Sequence, residues 1–116
     1  MGVKIRDLKH RIKFQQMGRV ADGQGGWIES WTDFTPPQHS APEVWAEVKP
    51  ASAGERYFAQ KIEMIVTHKI CIRWLDGITQ EMRIIFENRI FQIKGIRREN
   101  EERWFMLIDA KEGEAS

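Results

Sequence analysis

The sequence predicts a mainly β fold: a small six- to seven-stranded β-barrel or sandwich with one short helix at about 52–61, residues 1–116 forming a single domain. Three observations carry that reading. Apolar and polar residues alternate with period two in several short runs, Gly, Pro, Asn and Asp cluster between the runs, and 116 residues suffice for one core and no second.

The first strand is expected where Ile12 and Phe14 alternate with Arg11, Lys13 and Gln15. Asp22-Gly23-Gln24-Gly25-Gly26 follows, a glycine-rich segment read as a flexible, exposed loop. A short strand is expected at Trp31 to Thr35, then a second exposed loop at Pro36 to Pro42, then a strand in which Val44, Ala46 and Val48 alternate with Trp45, Glu47 and Lys49. Ser52, with Glu55 three residues on, has the spacing of a capping box and opens the expected helix, whose buried stripe is Tyr57 and Phe58. A helical turn at Ile5 to Lys9 is also admitted.

The strongest signal runs from Ile62 to Trp74. Ile62, Met64, Val66, His68, Ile70, Ile72 and Trp74 share one face, against Glu63, Thr67, Lys69 and Arg73 on the other. It predicts one long strand, about 40 Å at the usual rise, ending at the turn Asp76-Gly77. Met82, Ile84 and Phe86 then pair with Ile90 to Arg97 through a tight turn at Glu87-Asn88-Arg89. Trp104 to Asp109 is the last strand, and Lys111 to Ser116 is expected to fray.

Composition narrows the function classes. Hydrophobic residues are 41% and charged residues 30%, an ordinary globular balance, and 18 Lys and Arg against 17 Asp and Glu leave a net charge of +1. That balance advertises neither a nucleic-acid nor an anionic-membrane partner, so an electrostatic partner must be met by a local patch. With no apolar run of signal-peptide or membrane-span length, a cytosolic chain without membrane association is expected.

The residues that carry chemistry are scattered. Cys71 is the single cysteine and lies between Ile70 and Ile72, the setting of an inert packing residue, so neither an intrachain disulfide nor a cysteine-based zinc site can form. His10, His39 and His68 show no metal-ligand spacing, and His68, on an apolar face, is read as a hydrogen-bonded core histidine. No nucleophile, base and orienting group can be placed together. The expectation is therefore no catalytic residue, no metal and no cofactor.

The glycine loop lacks the Lys-Ser or Lys-Thr ending of a phosphate loop and is read as a mobile loop; three other features suit binding. Arg97, Arg98 and Arg103 beside Trp104 and Phe105 resemble a single-strand binding platform interrupted by Glu99, Glu101 and Glu102, which makes an oligonucleotide-binding barrel the alternative function. The basic start, with Arg6, Lys9 and Arg11, is either a docking surface for an acidic partner or a wet edge. Five tryptophans exceed what so small a core can hide, and Trp27 and Trp31, next to Gly23, Gly25 and Gly26, are the candidate partner contacts, with the ends of a barrel as their other placement.

Taken in order, these residues resemble a family. Ile5 to Gln15, the loop Asp22 to Trp27, Val44 to Pro50, the helix start Gly54-Glu55-Arg56, Val66 to Trp74, and Met82 to Ile84 followed by Arg89 to Ile93 resemble the head-tail joining, or head closure, proteins of tailed bacteriophages over nearly the whole chain. The resemblance implies a structural component of the virion neck, made in the bacterial host cytoplasm. It implies a ring homo-oligomer between a portal-bound adaptor protein and a tail or tail-completion protein. Such a ring extends and closes a channel through which double-stranded DNA passes without sequence-specific binding. The family's channel-gating loop would here be the glycine loop or, by preference, Thr35, Pro36, Pro37, Gln38, His39, Ser40, Ala41, Pro42 and Glu43. That connector is longer and richer in proline than the family pattern, which stiffens it.

Overall fold

The computed structural model describes residues 8–51, 66–98 and 104–113. Within them seven strands follow one another: β1 (His10–Ala21), β2 (Trp27–Phe34), β3 (Glu43–Pro50), β4 (His68–Arg73), β5 (Arg83–Phe86), β6 (Arg89–Arg98) and β7 (Phe105–Glu112). The mainly β prediction holds. Every pairing is antiparallel, and the order β1-β3-β4-β7-β6-β5 closes when β5 returns to β1 through Lys13–Ile85, Phe14–Ile84 and Gln15–Arg83. The result is a six-stranded barrel with β2 outside it.

Alternation fills the barrel. Ile12, Phe14, Ala46, Ile70, Ile72, Ile84, Phe91, Ile93, Met106, Ile108 and Ala110 point inward and pack as one cluster, with Phe14 and Phe91 fully buried. Closure of six strands leaves an interior only wide enough for side chains, so this barrel is packed solid. Cys71 faces outward on β4 but is covered by Leu8, Phe105 and Leu107 in a small second cluster, the inert packing role expected of it.

His68 is the polar visitor to the core face, and it is satisfied. Its ring meets Phe91 edge-on at 5.0 Å, Nδ1 lies 2.9 Å from Thr67 Oγ1, and Nε2 lies 3.2 Å from Arg89 Nη2. Arg89 in turn donates to both carboxylate oxygens of Glu112, at 2.8 and 2.9 Å.

Several expected boundaries move. The strand predicted from Ile62 to Trp74 is, among the described residues, the six-residue β4; 62–65 lie outside them. At its far end the strand stops at Arg73, although the Trp74 backbone N–H still bonds the carbonyl of Trp104, the partner that the β4–β7 register sets; its indole N–H turns to Asp76. Lys111 and Glu112, expected to fray, extend β7, tied by the Glu112 N–H to Thr67 Oγ1 at 2.7 Å and by Arg89. The helix expected at 52–61 lies outside the described residues, as do residues 5–7 of the expected helical turn.

The turns obey the sequence. Glu87 and Asn88 both take positive φ, the requirement of a two-residue type I′ hairpin between β5 and β6. Gly77 has φ +89°, and a Cβ there would meet Phe34 at 3.0 Å, so this turn needs its glycine.

Candidate interaction surface

The largest departure from expectation is β1 and β2. A strand was expected around 11–15 and another only from Trp31. Instead β1 runs twelve residues, and β2 pairs with it from Phe14–Phe34 to Ala21–Trp27. Lys13 pairs with both Glu43 and Ile85, and Phe14 with both Phe34 and Ile84. Hence β2 and β3 share one edge of β1, and β5 holds the other. Beyond Gln15 the only partner of β1 among the described strands is β2, so a two-stranded arm leaves the barrel for six residues, about 20 Å. The molecule is accordingly elongated, 53 × 34 × 26 Å.

The arm's root is clamped by polar groups from three strands. Gln15 stands between Asp33 on β2 and Arg83 on β5; its Nε2 donates to Asp33 Oδ1 and its Oε1 accepts from Arg83 Nε, both at 2.8 Å. Lys13 Nζ adds a bond to Asp33 at 3.3 Å, and the Arg83 guanidinium lies 4.5 Å over the ring of Trp31. Chiefly through the bond from Gln15, and with help from Lys13, the Asp33 carboxyl is held below its ordinary range despite some burial; burial also lowers the Arg83 pKa.

The arm's tip is the glycine segment. It is exposed, as expected, and is built on Asp22, whose Oδ1 accepts from the N–H groups of Gln24 at 2.7 Å and Gly26 at 3.0 Å, while its own N–H bonds the Gly26 carbonyl. Gly23 and Gly25 take positive φ, and a Cβ on Gly26 would meet Asp22 Oδ2 at 2.7 Å. This turn presents apolar side chains to water on both faces: Trp27 is 66% exposed, Ile28 54%, Val20 and Met17 lesser amounts.

The Thr35 to Pro42 segment has an unexpected origin. Since β2 ends opposite Phe14 and β3 begins opposite Lys13, the two are successive pieces along one edge of β1, and the segment is an excursion whose ends are neighbours in register. Pro36 is buried and anchors it, against the expectation of an exposed loop throughout. A turn follows, with the His39 N–H on the Pro36 carbonyl at 3.1 Å, Gln38 at φ +66°, and His39 Nδ1 3.0 Å from the Pro37 carbonyl. Glu43 already belongs to β3.

Between this excursion and the barrel lies an open cavity of about 320 Å³. It is lined by the buried Val44, Ile72 and Leu75, by Ala41 and Trp45, and by the polar Arg11, His39, Ser40, Glu43 and Arg73, with the Arg11 guanidinium 4.7 Å over the Trp45 ring.

The expected contact residues thus fall into two places. Gly23, Gly25, Gly26 and Trp27 make the arm tip; Trp31 is at the root, partly covered by Arg83; Arg11 is at the groove, Lys9 is exposed before β1, and Arg6 lies outside the described residues. Unforeseen members are Met17, Val20 and Ile28 on the arm and Trp45, 53% exposed, at the groove. The single-strand platform shrinks: Phe105 is buried in the small second cluster and the exposed Arg97 is paired with Asp109 at 2.9 Å, while Trp104 is exposed; the Arg98 side chain and Arg103 lie outside the described residues. Among the described residues no three His, Cys, Asp or Glu could share a metal ion.

Comparison with known proteins supplies the context for this surface. A family model described as phage head completion protein matches residues 3–113. The solution structure of protein SF1141 from Shigella flexneri 2a superposes with a TM-score of 0.73 at 26% identity, covering 96% of this chain and 97% of that one. A chain from the virion of the native gene transfer agent particle superposes with a TM-score of 0.57, also at 26% identity, covering 93% and 97%. No curated protein matches.

Proposed function

The chain belongs to the phage head completion protein family, and from that premise we propose that it is the neck component that joins a portal-bound adaptor to the tail, extending and closing the DNA channel. The family match over residues 3–113 is the observation that carries the reading, and the fold agrees with it in three respects. A barrel packed solid cannot itself be the conduit, so a channel requires several copies around an axis. A net charge of +1 suits a wall past which duplex must slide, because each phosphate neutralised by a basic lining adds salt-sensitive affinity that holds DNA back. Surfaces unlike one another on a single chain suit heterologous contacts that close by rotation.

In this role the protein catalyses nothing. The Thr35–Pro42 excursion is the proposed gate, because it projects from one edge of a rigid strand and can change without disturbing the register on either side. The arm tip and the basic residues near Lys9 and Arg11 are the proposed contacts to neighbouring virion proteins.

The test is electron microscopy of particles assembled with and without this protein. A ring of density between portal and tail, present only with the protein and accompanied by retained DNA, is expected. Tailed, DNA-filled particles made in its absence would overturn the reading.

A further inference from the structure

We infer that the arm of one copy docks its apolar tip into the groove of the next copy, so that the ring is tied together by arms. This rests on the ring reading above and says how that ring is held.

The first premise is an unsatisfied protrusion. A two-stranded ribbon is at best marginally stable alone in water, and this one carries Val20 with Ile28 on one face and Ala21 with Trp27 on the other, all exposed. The second is a receptor on the same molecule. The groove beside the excursion offers Ala41 and the exposed Trp45 as its apolar contacts, with the edges of Val44 and Leu75 beneath them and Arg11, Glu43 and Arg73 around them, and about 320 Å³ is room for one large side chain such as the Trp27 indole.

The tip cannot reach the groove of its own chain. Both lie along β1, but Arg11 at the groove and Val20 near the tip are nine residues apart on one continuous strand, about 30 Å. The clamp of Gln15, Asp33 and Arg83 holds the arm pointing away. Only another copy can supply the tip.

Charge favours the same pairing. From Gln16 to Thr32 the arm carries Arg19 against Asp22 and Glu29, whereas the groove carries Arg11 and Arg73 against Glu43. An arm with one excess anion thus meets a groove with one excess cation. Donor and acceptor are different surfaces, so the contact can run head-to-tail and close by rotation into the proposed ring, whereas reciprocal exchange between two copies would stop at a dimer, an outcome the cross-linking ladder separates.

The test uses the full-length chain carrying Gln24→Cys, exposed at the tip beside the intact Trp27, and Ala41→Cys, assembled into particles and treated with a short bismaleimide. Native Cys71 is buried and stays silent. The expected result is a ladder of covalent multimers of this chain that vanishes when either cysteine is omitted and reappears as dimers when the two single-cysteine chains are mixed. A ring visible by microscopy with no ladder, or with the arm cross-linked only to a different protein, would overturn the arm-to-groove contact and leave the ring reading intact. Absence of any ring would remove both. As a second readout, Trp27→Ser with Ile28→Ser alters only exposed residues, and with an unchanged circular dichroism spectrum it should lower incorporation into particles about tenfold, the loss of one aromatic anchor. Unchanged incorporation would count against the contact.

Discussion

Glu87 and Asn88 hold a left-handed backbone that costs an ordinary residue about 1–2 kcal/mol, and Asn tolerates it better than Glu. Glu87→Asn with Asn88→Gly should therefore stabilise the chain by about 1 kcal/mol, raising the melting temperature by roughly 4–8 °C. Gly77→Ala should do the reverse by about 1–2 kcal/mol, because its φ of +89° strains any Cβ and Phe34 stands 3.0 Å from where that Cβ would sit. Both are read from thermal melts. Ion pairs at the same scale set the acid limb of stability. Arg89 holds the Glu112 carboxyl below 4.5, and Gln15, then Lys13, hold Asp33 below 3.8. A depressed carboxylate contributes stability that is complete above its unfolded pKa and is lost as pH falls through the folded one. Urea midpoints should accordingly carry the full, pH-independent contribution of these groups between pH 6 and 8 and should decline below about pH 4.5, a decline that Glu112→Gln makes shallower. An undiminished slope in that variant would refute the assignment.

At the scale of elements, the excursion yields the clearest prediction. Because its ends are adjacent in register, replacing Pro37 to Ala41 by two glycines should leave the barrel folded, with Pro36 still seated; because His39 to Ala41 also line the groove, rings are scored by microscopy in the same particles. If the excursion is the gate, particles that keep the ring should release their DNA, measured as nuclease-accessible genome; full retention in them would assign the gate elsewhere. Elements with one buried face were legible in the sequence: Val44, Ala46 and Val48, or Ile84 and Phe86, alternate because water lies on one side only. The arm was not. Gln16, Gly18 and Val20 share one face and Met17, Arg19 and Ala21 the other, and with water on both sides no period survives. Trp74 lies just past the end of β4 yet keeps both the alternation and an in-register backbone bond to Trp104. The groove was illegible for a different reason, since Arg11, Ala41, Trp45 and Leu75 meet only once the barrel has closed.

For the whole molecule, stability resides in the solid barrel. Phe91→Ala should cost about 3–5 kcal/mol, a large share of the ~5–15 kcal/mol that holds a small domain together, and should lower the melting temperature by roughly 10 °C or more. The isolated protein should bind duplex DNA only weakly at physiological salt, because +1 overall leaves few phosphates to neutralise; tight, sequence-independent retention in a filter or shift assay would contradict a sliding wall.

One strand, β1, belongs to the barrel where it begins and to the arm where it ends, and this sharing sets the mechanics of the molecule. A pull along the arm is a pull along β1. Its ladders with β3 and β5 lie side by side across that line of force, so their hydrogen bonds are sheared together instead of being peeled one after another. A sideways push on the tip has no such backing and falls on the Gln15 junction first. The molecule is thus stiff in tension and compliant in bending, like a tie rod with a hinge at its collar, and a ring linked through such rods would resist spreading while letting each barrel tilt.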